Sequence, residues 1–119
     1  MGSAGTDEER LIEAYFDAFN RHDLDGVVAC LHDHVVLVSP NGDAVHGRDA
    51  AHRRYASEFA AMPDAHCELR LVVGRAGRGV AESAFSATID GRPVRAVGAE
   101  VIEIAYGLII EIRDYHQPA

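Results

Sequence analysis

The stretch TDEERLIEAYFDAFNRHDLDGVVACL, residues 6–31, decides the fold. Thr6 is followed three residues on by Glu9, the spacing of a capping box, and acidic residues in the first turn suit the positive end of a helix dipole. Leu11, Ile12, Tyr15, Phe16 and Phe19 then recur at helical spacing, opposite Glu9, Glu13, Asp17 and Asn20. One face is therefore buried, with Tyr15 at its centre. Asp23 stands where it can cap a short second helix carrying Leu24, Val27, Val28 and Leu31.

Outward from there the period changes. Val35 to Ser39 is rich in strand formers, and Pro40-Asn41-Gly42-Asp43 behind it is a strong turn signal. Ala44 to His46 reads as the returning strand. A third helix is expected over Asp49 to Met62, with Ala51, Tyr55, Phe59 and Met62 inward and Pro63 as its stop. The rest reads as strand: Cys67 to Val73, Val80 to Ile89, Val94 to Ile104 and Leu108 to Tyr115. Gly77-Arg78-Gly79, Asp90-Gly91 and Tyr106-Gly107 separate them, and links this short join antiparallel neighbours. Gly77 to Gly79 lacks the strand-to-helix setting of a phosphate loop. Helices followed by a meander make an α+β domain, with helices on one face of a bent sheet. Side-chain alternation puts Gly98, Glu100, Ile102 and Ile104 on one side of their strand. It puts Ile110, Ile112, Asp114 and His116 together on the next.

Composition bounds the rest. The chain has 119 residues, enough for one domain, and 48% of them are hydrophobic, which argues against disorder. Residues 1–6 read as a flexible leader and 7–119 as a single domain. The net charge of −8 disfavours nucleic acid or an anionic membrane as partner. No apolar run is long enough to span a bilayer, and a cytoplasmic location is expected. Cys30 and Cys67 stand far apart in apolar patterns and read as buried free thiols. His32-Asp33-His34 invites a metal reading, but no further ligands have suitable spacing, so neither a metal nor another cofactor is expected. Ser39 is not set in a nucleophile elbow.

The run AYFDAFNRHDLDGVVACL (14–31), a strand closed by SPNGD (39–43), HGRDA (46–50) opening a helix, and the ending GLIIEIRDY (107–115) together resemble the nuclear-transport-factor-2-like superfamily. More narrowly, the chain is similar to the SnoaL-like polyketide cyclases and ketosteroid isomerases. The resemblance implies a cone-shaped, strongly curved, mainly antiparallel sheet wrapped around three helices and enclosing an apolar cavity. It implies a cofactor-independent isomerase or cyclase, a lyase-type enzyme that removes a proton alpha to a carbonyl of a small apolar substrate. The alternative is a protein that only binds such a ligand.

Site residues carry over position by position. Tyr15, in YFDAFN, matches the isomerases' tyrosine donor. Glu100, in DGRPVRAVGAE (90–100), matches their protonated acid, where aspartate is usual. The isomerases' base is an aspartate before proline at the end of the first strand; here that position is Ser39. Asp114 resembles the cyclases' base near the end of the last strand. Tyr15, Glu100 and Asp114 are thus the expected catalytic residues. Ser39, Phe19, Tyr55, Phe59, Ile102, Ile112, His116 and His34 are expected around the substrate. The superfamily's epoxide hydrolases imply an Asp-Arg-Asp set, and Gly98 stands where the arginine would be. A homodimer is expected through an outer sheet face of Val97, Ala99, Val101 and Ile109, with Glu103, Glu111 and Arg113 paired across the two-fold axis. Tyr106 and Leu108 read as an exposed contact surface or an engineered patch.

Overall fold

The computed structural model describes residues 5–119. Three helices, α1 (Asp7–Asn20), α2 (Leu24–Ala29) and α3 (Arg48–Ala61), accompany seven strands. The strands are β1 (Leu31–Val38), β2 (Ala44–His46), β3 (His66–Arg75), β4 (Arg78–Ile89), β5 (Arg92–Ala105), β6 (Leu108–Asp114) and β7 (Gln117–Pro118). They form one sheet in the order β2-β1-β6-β5-β4-β3, with β7 pairing β5. The sheet is mixed and open, and it wraps the helices as the α+β reading expects. Every pairing is antiparallel except β1 with β6, which run parallel. Among the described residues no helix is long and apolar enough to cross a membrane.

The expected caps form. Thr6 accepts from the Glu9 amide, and the Glu9 side chain accepts from the Thr6 amide. Thr6 thus belongs to the folded domain rather than to the leader, of which residues 1–4 lie outside the described residues. Asp23 caps α2 through the Gly26 amide. Leu31 corrects the sequence reading: it starts β1 rather than continuing α2, and it is fully buried. The β3–β4 corner is also displaced, since Ala76-Gly77 makes the turn and Arg78 and Gly79 are already strand. Ala76-Gly77, Asp90-Gly91 and Tyr106-Gly107 all have positive φ at both residues. That is the backbone of two-residue hairpins whose twist matches the flanking strands.

α1 lies against the β3 edge and is fastened at both ends. The Thr6 hydroxyl donates to the Gly74 carbonyl at 2.6 Å, and Glu9 accepts from the Gly74 amide at 3.0 Å. At the other end, the Asn20 amide exchanges two 2.8 Å hydrogen bonds with the backbone of Cys67. Ile12, Tyr15, Phe16 and Phe19 face the core together with Val27, Val35, Ile102, Ile109 and Ile112. Cys30 and Cys67 are buried and free.

Ile109 overturns one reading of the outer face. The β5–β6 register shifts between Glu103 and Ile104, so Ile104 pairs Ile109, which is fully buried in the core. It is therefore not part of an outer patch. The charges beside that patch pair within one chain. Arg113 binds Glu103 at 3.0 Å and Glu111 at 3.2 Å, and Arg78 binds Glu103 at 3.0 Å. Tyr106 is 91% exposed at its hairpin tip, near the His32 ring, whereas Leu108 is only half-exposed.

Candidate functional site

Two adjoining hollows open where α1 and α3 face the β1–β6–β5 region. The smaller, about 90 Å³, is lined by Tyr15, Leu37, Val38, Ser39, Arg54, Tyr55, Glu58, Glu100, Ile112 and Asp114. The larger, about 230 Å³, is lined by Phe19, Met62, Cys67, Phe85, Ala96 and His116 and shares Glu58, Glu100 and Asp114 with the first. A polar end and an apolar body thus meet at three carboxyl groups.

Strand pairing positions two of them. Glu100 of β5 and Asp114 of β6 are directly opposed in the antiparallel ladder. Side chains in such a pair stand about 5 Å apart, where two charges would repel. The two groups have unlike surroundings. Asp114 Oδ1 accepts from the His116 amide at 2.9 Å and lies 2.7 Å from His116 Nδ1. Glu100 is 9% exposed, and no hydrogen bond to its carboxyl is found among the described residues. Burial first, then the charges of Asp114 and Glu58, push the Glu100 carboxyl up to about 8.

The tyrosines form a pair. Tyr15 of α1 and Tyr55 of α3 are both buried, and one hydroxyl donates to the other. Burial raises the pKa of each, with the Glu100 charge adding to it, so both stay protonated. A hydroxyl pair uses one hydrogen internally and leaves one to offer. Burial and the same acid charges hold the Cys67 thiol at about 12, which keeps it inert as a nucleophile.

At the polar end Arg54 joins two groups. Its Nε donates to Glu58 Oε2 at 2.8 Å and its Nη2 to Ser39 Oγ at 3.0 Å. Ser39 therefore lines the hollow, held by a cation where the isomerases have their base. Arg54 and Glu58 were missed in the sequence because an i, i+4 Arg-Glu pair reads as a solvated helix face. The signal that finds them is that Glu58 follows the inward Tyr55 by three positions.

Of the expected residues, Tyr15, Ser39, Tyr55, Ile112, Glu100, Asp114, Phe19 and His116 line the hollows. Three do not. Ile102 is fully buried in the core behind them. Phe59 stacks on His22, ring centroids 4.6 Å apart, at the outer end of α3. His34 is exposed, beside His32, because it alternates with the inward Val35 and Leu37 of β1. Among the described residues no group of three or more ligating side chains is gathered that could hold a metal ion.

The family model of the SnoaL-like domain matches residues 12–112. The chain belongs to the SnoaL-like domain family. No curated protein matches it with significance. Solved structures share the fold at low identity. An LEH-like epoxide hydrolase of M. tuberculosis superposes with a TM-score of 0.86 at 20% identity, covering 97% of this chain and 86% of that one. A putative SnoaL-like polyketide cyclase from Jannaschia sp. CCS1 gives 0.82 at 17% identity, over 99% and 89%. A protein of ketosteroid isomerase-like fold from Catenulispora acidiphila, in complex with trimethylamine, gives 0.80 at 16% identity, over 88% and 83%. At these identities the likeness establishes the fold of this SnoaL-like domain and leaves its chemistry to the site.

Proposed function

We propose that this SnoaL-like domain is a cofactor-independent enzyme that removes a proton alpha to the carbonyl of a small, mostly apolar compound, as an isomerase or cyclase must. Asp114 is the base. Glu100, neutral, and the Tyr15–Tyr55 pair donate hydrogen bonds to the enolate oxygen. The observation that carries this reading is Glu100: nine-tenths buried, without a hydrogen-bond partner among the described residues, and side by side with Asp114 in a hollow that Tyr15 also lines. Of two facing carboxyls, the hydrogen-bonded one keeps the charge and the desolvated one keeps the proton. That division supplies a base and an acid at neutral pH. An enolate oxygen then meets preorganised donors, each typically worth about 10²–10³ in turnover. The apolar hollow of Phe19, Met62 and Phe85 suits the substrate's body.

The test is exchange of the α-protons of cyclohexanone in D₂O, followed by proton NMR, with phenol as the enolate mimic in parallel binding titrations. The expected result is protein-dependent loss of the α-proton signal that Asp114→Asn removes while phenol still binds. Phenol binding with no exchange by the wild type would overturn the enzyme reading and leave a ligand-binding cavity.

A further inference from the structure

After Asp114 the chain leaves β6, bends over the face of β5 at Gly98 and rejoins the same edge of that strand as β7. The Tyr115 amide donates to the Ala99 carbonyl at 2.9 Å, Gln117 and Pro118 pair with Val97 and Ala96, and the Ala119 amide donates to the Arg95 carbonyl at 3.1 Å. The bend passes directly over Gly98. A Cβ there would sit 2.5 Å from the Tyr115 carbonyl oxygen and 2.6 Å from His116 Cα, closer than real atoms approach. Because the backbone comes so near, the His116 ring reaches Ser83, the residue paired with Gly98 on β4.

The ring is held on both nitrogens. Nδ1 lies 2.7 Å from Asp114 Oδ1, and a carboxylate can only accept, so Nδ1 carries the hydrogen. Nε2 lies 2.9 Å from Ser83 Oγ, which can donate or accept, and 3.2 Å from the Ser83 carbonyl, which can only accept. The sequence of groups matches a hydrolytic triad, but the accessibility is inverted. Ser83 is 1% exposed at the closed end, whereas Asp114 lines both hollows. The group free to act is the carboxylate.

We infer that His116 is a positioning residue for Asp114: it fixes Oδ1 so that Oδ2, which makes no hydrogen bond among the described residues, is presented to the substrate's proton. Gly98 is what admits it. The inference rests on Asp114 being the base, and it recasts His116 from a substrate contact to the group that aims the base. Removal of an aiming contact costs turnover and leaves ligand affinity alone.

Two variants separate aiming from mere packing. His116→Asn keeps an amide N–H where Nδ1 stood, and His116→Phe keeps the bulk without the donor. In the cyclohexanone exchange assay, His116→Phe is expected to lower kcat by about 10²-fold at unchanged KM. His116→Asn is expected to recover most of that loss. Gly98→Ala is expected to fall with His116→Phe, because the bend at Tyr115 and His116 must lift. Equal rates for His116→Phe and wild type would overturn the inference, as would an asparagine variant that folds yet does no better than phenylalanine. A measurement independent of turnover is the long-range ¹H–¹⁵N spectrum of the His116 ring, expected to show the hydrogen on Nδ1. The two readings fail separately. Absence of exchange in the wild type overturns enolisation, and a hydrogen on Nε2 alone overturns the positioning role.

Discussion

Glu100→Gln is expected to flatten the pH dependence of stability between pH 4.5 and 8. Burial, reinforced by the charges of Asp114 and Glu58, holds the Glu100 carboxyl at about 8 instead of its usual 4.5. In the unfolded chain the same group titrates near 4.5. Between those values the folded state binds more protons than the unfolded one, so stability falls as pH rises. Nothing is lost below 4.5, and the whole cost is present above 8. At about 1.4 kcal/mol per pH unit, the span amounts to about 5 kcal/mol. This is an upper bound, because water entry relieves a buried charge. It is still a large share of the roughly 5–15 kcal/mol that holds a domain together. Glutamine keeps the shape of the side chain and has no proton to lose in this range. Urea unfolding of both proteins across the window isolates the effect, since Asp64 and Glu103, both held low, are common to the two. Curves that stay parallel would refute the reasoning. So would a carbon-13 titration of Glu100 with its midpoint below about 5.

Other outcomes follow from the same geometry. Tyr15→Phe takes one hydroxyl from the buried pair and is expected to weaken phenol binding about tenfold, read by titration calorimetry. Thr6→Ala removes the capping box and the hydroxyl bond to Gly74, and should cost about 1 kcal/mol in urea unfolding. The outer sheet face, with Leu71 50% and Val73 46% exposed, is expected to join two copies; a sedimentation mass of 12.9 kDa at micromolar concentration would refute the dimer.

The sequence disclosed the elements better than their consequences. Thr6, Glu9 and Asp23 carry their caps in local spacing, and the three Gly-containing corners carry theirs in local backbone preference. Ile109 and Ile110 were exchanged because a register shift in β5–β6 breaks the alternation, and nothing in LIIEIRD marks it. His34 was misassigned for a different reason, since its parity with Val35 and Leu37 was there to be read. Glu100 and Asp114 were legible as candidates through resemblance. Their direct opposition depends on strand register, and the Arg54–Glu58 arm depends on how α3 docks. Gly98 read as a missing arginine, and only the path of Tyr115 and His116 above it explains why the position has no side chain.

The parallel partnership of β1 with β6 has a consequence for how the protein is made. Leu31 finds its partner Ile109 across 78 positions, whereas the β3–β4–β5 meander pairs through two-residue corners. Contacts that close long loops form late and slowly. The meander can zip up as soon as its strands exist, but β1 and its hairpin keep an open edge until β6 arrives. Asp114 arrives with that strand. The strand that this long-range seam waits for thus also carries the proposed base, and a nascent chain short of β6 holds Tyr15 and Glu100 without Asp114 opposite them.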